Sequence, residues 1–390
     1  MPIRRGFFGG AVTIIAPTIT IGAVTNFNQD RATFNATVTP NNATTSVKFQ
    51  YSTNGSTWTD GATITGINGG SQSVYSNQTG LAVGTLYYVR AIATNSVGST
   101  TSSNTTFTTW SLKTYLNTSA GSYTVSIPSI TPTGGSAIAP TIYEMLIYGA
   151  GGGANYAGGG GGGYRIAASK VSSATATQNI TGTIGGGGGG GNGGGGTGGA
   201  GAGGSSTLVI GDTTYTAGGG GAGAHPGANS APTGTGGAVG TGTNPAYGGG
   251  SNTYGYQYIS GYNQWNDPSC GCASTDKYGN CTAYNSCNNP NSPIYSWDAS
   301  YYAGGGGGGT DGAGANAFTQ GSASHNGGAG GAGGGAYGLR GGNGGGGRGT
   351  QSTGANGSVP AGSGPIVGTG GQGWYGAGTA GGVTFKYYGP

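Results

Sequence analysis

Six runs of four or more glycines decide what this 390-residue chain can fold into: Gly158–Gly163, Gly185–Gly191, Gly193–Gly196, Gly218–Gly221, Gly304–Gly309 and Gly344–Gly347. Of 98 glycines, 15 lie in residues 1–148, which leaves 83 for residues 149–390. Each glycine costs a helix about 1 kcal/mol relative to alanine, so helices are excluded from most of the second part. Collagen is excluded too, because there is no Gly-X-Y period and only 15 prolines are present. A disordered chain of this length is normally rich in charge, whereas charged residues make up 5% here.

The same scarcity of charge narrows function. Eight acidic residues and two histidines leave few groups for acid–base chemistry, so an enzyme is not expected, and neither is a cofactor. Twelve basic residues are scattered without a run, which removes the clustered footprint that nucleic-acid binding needs. No stretch of 18 apolar residues occurs. Arg4-Arg5 ahead of Phe7-Phe8 has the look of a twin-arginine signal. The following segment is broken by Gly9, Gly10 and Pro17 and lacks an A-x-A site, so no cleaved export signal is expected.

Residues 16–110 read as an all-β domain. Val47-Lys-Phe49-Gln-Tyr51 and Tyr87-Tyr-Val89-Arg-Ala91-Ile-Ala93 alternate with period two. Asn54-Gly55 and Asn95-Ser-Val-Gly98 supply turn chemistry, and Trp58 is expected on the strand returning from the first turn. Strand signals every 8–12 residues point to a β-sandwich. The stretch Gly80-Leu-Ala-Val-Gly84-Thr-Leu-Tyr87-Tyr-Val resembles the E–F corner of fibronectin type III domains, which implies that the Tyr87 hydroxyl bonds to upstream backbone; the family often has proline at the position of Val83. Such a module is expected to act as a spacer, with Tyr87 and Trp58 in structural roles.

Residues 111–390 read as a glycine-rich domain with short strands at Tyr123–Ile127, Ile142–Tyr148, Ile180–Ile184, Ser206–Ile210, Thr213–Tyr215 and Gly382–Tyr388. A left-handed threefold helix has three residues per turn, rises about 3.1 Å per residue and makes no internal hydrogen bonds. Rods of that kind without Cβ atoms can approach until each N–H meets a neighbour's carbonyl. The interior is then expected to be held by backbone hydrogen bonds between rods, with the flanking strands setting register.

The order of these pieces carries a further resemblance. A strand ending at Tyr148 is followed by Gly149-Ala-Gly-Gly-Gly153, then Gly158–Gly163, Ile180-Thr-Gly-Thr-Ile184-Gly185, Gly203-Gly-Ser-Ser-Thr-Leu208, Thr216-Ala-Gly218 and the closing Gly382-Val-Thr-Phe-Lys-Tyr-Tyr. This is similar to the glycine-rich domain of bacteriophage tail-fibre and receptor-binding proteins. The resemblance covers most of residues 120–390. It implies a polyglycine II sandwich whose far-end loops touch the bacterial surface, in a virion protein made in the host cytoplasm. Glycine content alone would equally match plant cell-wall proteins, silks and some ice-binding proteins.

An insert at about 222–303 interrupts the glycine pattern. It holds ten tyrosines between Tyr247 and Tyr302, with Trp265 and Trp297 among Asn and Ser, the composition of antibody contact loops. Tyr254, Tyr256, Tyr258, Tyr262 and Trp265, with Tyr295 and Trp297, are the candidate receptor contacts. A local aromatic core is the competing role. Cys270, Cys272, Cys281 and Cys287 all lie in the insert; two disulfides are favoured over a metal site, because neither pair has C-x2-C spacing. His225 and His325 are read as solvated loop residues, and the scattered aspartates argue against glycan hydrolysis.

Residues 1–15, with Phe7, Phe8, Ile14 and Ile15, are read as an arm that docks onto other virion or fibre proteins, since no heptads provide the chain with its own shaft; a disordered tail is the alternative. The expected function is therefore a phage appendage adhesin, part of a larger assembly, that binds a bacterial surface glycan or outer-membrane protein. A purely structural filament, sheath or decoration protein is the alternative. A secreted ice- or glycan-binding protein is a third possibility.

Overall fold

The computed structural model describes residues 13–154, 165–191, 200–222, 363–371 and 376–390, with backbone only at 165–169 and in short strand segments between 253 and 341. All regular structure among the described residues is β-strand. The chain divides into two compact units. The first comprises residues 1–113, 127–141 and 387–390, and the second comprises 114–126 and 142–386.

Eight strands build the first unit: β1 (Thr18–Ile21), β2 (Arg31–Thr39), β3 (Thr45–Ser52), β4 (Thr59–Ile67), β5 (Gln72–Thr79), β6 (Leu86–Thr94), β7 (Ser99–Thr101) and β8 (Thr105–Thr108). One sheet has the order β1-β2-β5, and the other has β4-β3-β6-β7, with β8 also pairing β6. Alternation in the sequence becomes alternation in burial. In β6, Tyr87, Val89, Ala91 and Ala93 are buried and their neighbours are not. Both sheets contribute to one apolar core that includes Phe34, Val38, Val47, Phe49 and Val89, all fully buried. Phe107 stacks on Tyr87 at 5.7 Å and meets Phe34 edge-on at 6.0 Å.

The corner between β5 and β6 is fixed by Tyr87. The backbone N–H of Ala82 donates to the Tyr87 hydroxyl at 2.8 Å. The corner turns through Gly80 and Gly84, both at left-handed φ (75° and 60°), where a side chain would be strained. Tyr87→Phe leaves the Ala82 amide without its acceptor and is expected to cost the first unit about 1–2 kcal/mol. A lowered urea midpoint at unchanged slope would register this.

Trp58 lies one residue ahead of β4, not on it, because the bend spans residues 53–57. It is half-buried outside the core, with the Arg90 guanidinium 3.9 Å above its ring. Arg90 Nε donates to Gln50 Oε1 at 2.8 Å, and the Gln50 amide donates to Asp60 Oδ1 at 2.6 Å. Gln50 and Lys48 together hold the Asp60 carboxyl below the usual carboxylate range.

From Ser111 onward the strands are β9 (Ser111–Asn117), β10 (Gly121–Ser126), β11 (Thr141–Tyr148), β12 (Arg165–Ser172), β13 (Asn179–Ile184), β14 (Ser206–Ile210), β15 (Thr213–Ala217) and a closing strand, Gly382–Gly389. They form two four-stranded sheets, β10-β13-β14-β15 and β12-β11-closing strand-β9. β11 buries Met145, Leu146, Ile147 and Tyr148 in succession, the mark of a strand covered on both faces. Alternation slips at Glu144, whose φ of 49° is left-handed and whose carboxylate pairs with Lys386 at 2.5 Å.

Six glycine-rich segments continue from these strands and from the short strand Ile366–Val367: 149–154, 185–191, 200–205, 218–222, 368–371 and 376–381. Segment 149–154 is central and hydrogen-bonds to all five others. Ala150 and Gly153 donate to Gly204 and Gly201, and Gly151 and Ala154 donate to Thr379 and Gly376. Gly188 and Gly191 donate back to Gly151 and Ala154, Gly220 to Ala150 and Gly371 to Gly152. These contacts run from 2.7 to 3.0 Å. Along three of the neighbours, partners recur every third residue. Backbone pairing thus fills an interior in which the central segment buries only the methyl groups of Ala150 and Ala154.

Candidate functional site

Every one of these six segments meets its strand at the same pole of the second unit. Tyr148, Ile184, Ser206, Ala217, Val367 and Gly382 mark that pole. At the opposite pole, Ala154 bonds Gly376 and Gly191 bonds Ala154, while Gly201 sits beside Gly189. The chain therefore leaves the glycine cluster at Ala154, Gly191, Ala222 and Gly371, all at one pole. The aromatic insert begins at that pole too, because it starts from Ala222 in the chain.

At several positions the cluster supporting that pole cannot take a side chain. A Cβ at Gly151 would collide with the Thr369 carbonyl, one at Gly187 with the Gly378 carbonyl, and one at Gly203 with the Ala150 carbonyl. A cluster of that kind has its backbone groups engaged with one another and offers few of them to another molecule.

Of the residues singled out as receptor contacts, Tyr254 lies on the strand Thr253–Gly255, which pairs antiparallel with Tyr301–Ala303 so that Tyr254 opposes Tyr302. Tyr256, Tyr258, Tyr262, Trp265, Tyr295 and Trp297 lie outside the described residues. Cys272 and Cys281 fall on paired strands, Cys272–Thr275 and Cys281–Tyr284, but are not register partners: Cys272 opposes Tyr284 and Cys281 opposes Thr275. Cys270 and Cys287 lie outside the described residues, as does His225. His325 occupies a strand position opposite Thr319. Of the proposed arm, residues 1–12 lie outside the described residues. Ile14 and Ile15 are exposed, yet the chain beside them is held, since Asn95 donates to the Ile15 carbonyl at 2.8 Å and Asn42 to that of Thr13 at 3.2 Å. Among the described residues, no group of three or more His, Cys, Asp or Glu could hold a metal ion, and no helix is long and apolar enough to cross a membrane.

One surface escapes a reading by aromatic density. The outward face of β10-β13-β14-β15 carries two rows of small residues, Ser122–Thr183–Thr207–Thr216 and Thr124–Thr181–Val209–Thr214, all but Val209 bearing a hydroxyl. Thr183 and Thr207 share a hydroxyl hydrogen bond at 2.9 Å. The signal was the alternation of Ser or Thr with larger apolar or aromatic residues along these strands, where β-branched residues suit a pleated face. The face is without charge.

No protein-family model and no curated protein matches the chain. Among solved structures, it is similar to the sensor domain of the anti-sigma factor RsgI4 of Pseudobacteroides cellulosolvens, in a long and a short form. Each alignment has 19% identity and covers 25% of this chain, with 92% of the long form and 97% of the short form. The TM-score is 0.21 in both cases, a likeness too slight to carry fold or function to this chain.

Proposed function

We propose that this protein is a bacteriophage virion appendage protein, a tail-fibre adhesin that holds contact loops against the host surface. The observation that carries the reading is the common polarity of the six glycine segments: strands at one pole, and at the other the points where the intervening segments join. That arrangement suits a rigid stand with variable loops at its far end, and loops tolerate insertion because little packing crosses them. In this reading the segments are polyglycine II helices. The recurrence of partners at every third residue supports it, since a threefold helix returns the same face every three residues.

The first unit is then a fibronectin type III-like β-sandwich acting as a spacer. The supporting features are a three-stranded sheet facing a larger one across a shared core and the Ala82–Tyr87 corner bond. Residues 1–15 attach the protein to its neighbours in the virion. The aromatic insert meets a bacterial glycan or outer-membrane protein, with rigid tyrosines giving contact area at small entropic cost.

Gold-labelled antibody against the second unit tests this reading on intact particles. Label confined to fibre tips, with loss of adsorption when the antibody is bound, is the expected outcome. Uniform label along a tube or shell, with adsorption intact, would replace the adhesin by a structural sheath or decoration protein.

A further inference from the structure

We infer that the first unit carries a binding site for a carboxylate-bearing sugar, in a cleft between the outer face of the β1-β2-β5 sheet and the segment 132–138. The site is independent of the aromatic insert and of the adhesin reading. The cleft has a volume of about 430 Å³, at the small end of ligand pockets and suited to one or two sugar rings.

Its floor is preorganised. Thr33 is fully buried and donates to Asn77 Oδ1 at 2.7 Å, while the Asn77 amide donates to the Thr133 carbonyl at 2.9 Å and so ties the floor to the far wall. The charged group is Arg31. Asn28 Oδ1 accepts from the backbone N–H groups of Asp30 and Arg31, which fixes the turn that leads into β2. Asp30 Oδ1 then takes Arg31 Nε at 3.1 Å. That contact occupies one side of the guanidinium and orients its plane. Among the described residues neither Nη has a partner, so the end-on pair of N–H donors is available for a planar carboxylate.

The remaining groups choose the ligand class. Asn26 donates to Thr133 Oγ1 at 3.4 Å, and its Oδ1, with no donor among the described residues, can accept from a ligand O–H. Thr79 and Ser136 add hydroxyls that both donate and accept. Pro132 and Ile138 give the cleft an apolar wall for the C–H face of a ring. A sulfate supplies no donor for Asn26, and neither sulfate nor phosphate offers a C–H face to Pro132 and Ile138. A uronic acid supplies one carboxylate and several hydroxyls. The ion pair with Asp30 is neutral overall, so selectivity rests on hydrogen-bond geometry more than on long-range attraction.

Calorimetric titration of the full chain with digalacturonate, its methyl ester and inorganic phosphate tests the assignment. Digalacturonate is expected to bind about tenfold or more tightly than the ester or phosphate, the loss of one charge-assisted contact. Arg31→Lys, which keeps the charge and removes the fork, should lower digalacturonate affinity by a similar factor at an unchanged melting temperature. Ser136→Ala, on the outer wall, should weaken binding severalfold without touching the Arg31 turn, and covers the case in which the lysine variant melts early. Equal binding of acid and ester, binding indifferent to both substitutions, or no heat with digalacturonate would each overturn the site.

Discussion

Gly187→Ala is expected to melt the second unit well below the parent protein, while Gly189→Ala, two residues farther along the same segment, is not. The two positions share sequence context and differ only in what a methyl group would meet. At Gly187 a Cβ collides with the carbonyl oxygen of Gly378 and crowds Thr379 behind it. Both are backbone atoms in a neighbouring segment that also hydrogen-bonds to this one, through Gly378 to Gly188 and Gly381 to Gly185. No rotamer can relieve the clash, so the segments must separate and lose hydrogen bonds on both sides. Overpacking of this kind costs about 3 kcal/mol, the upper part of its usual range. For a unit of this size that corresponds to a fall in melting temperature of about 6–12 °C. At Gly189 nothing among the described residues lies within 4 Å of the added atom, and neither glycine is held at left-handed φ. There the alanine restricts the unfolded chain and is expected to stabilise by about 0.4–1 kcal/mol. Scanning calorimetry of the two variants gives the comparison. Equal shifts would mean that glycine is required for chain flexibility and not for close approach.

That contrast marks where sequence reading is strong and where it stops. Strands β3 and β6 were legible because one face meets an apolar core and the other meets solvent, so period-two spacing is written into the residues. The run Ile142–Tyr148 was legible as a strand, but not the slip at Glu144, since a left-handed glutamate has no sequence signature. Glycine runs announce that segments can approach closely, but not which one is central. The centre is Gly149–Ala154, a mixed segment whose two alanines are fully buried. Segments 368–371 and 376–381 contain threonine and alanine and are invisible to a search for uninterrupted glycine. They belong to the cluster because Thr369 and Thr379 pair through their hydroxyls at 2.9 Å and leave their backbones facing inward partners. The opposition of Tyr254 and Tyr302 was not legible either, because residues that far apart are brought together by topology, not by local spacing. Nor was the Arg31 cleft, whose far wall comes from residues 132–138, about a hundred positions away in a sequence without a motif.

Replacing Tyr254, Tyr256, Tyr258, Tyr262 and Trp265 together by serine is expected to abolish host-cell binding while leaving the melting behaviour of both units unchanged. The glycine cluster and the strands at its base are joined by backbone hydrogen bonds and strand pairings among residues 114–222 and 363–390. Their removal should therefore stay within about 0.5 kcal/mol, the range of substitutions that touch no structural feature. Binding is another matter. Tyrosine and tryptophan anchors at the centre of an interface are each worth about 2 kcal/mol or more, so loss of only two such anchors lowers affinity roughly a thousandfold. Adsorption of the purified protein to host cells would then fall to the level of an unrelated protein. Two results would defeat the assignment in different ways. If the serine variant unfolds, the rings form a core for the insert, and contact passes to other segments at the same pole. If it folds and still binds, Tyr295 and Trp297 become the next pair to replace, and retention of binding after that would remove the insert from recognition altogether. Cells stripped of polysaccharide or treated with protease then separate the two receptor classes, because a glycan contact survives the second treatment and a protein contact survives the first.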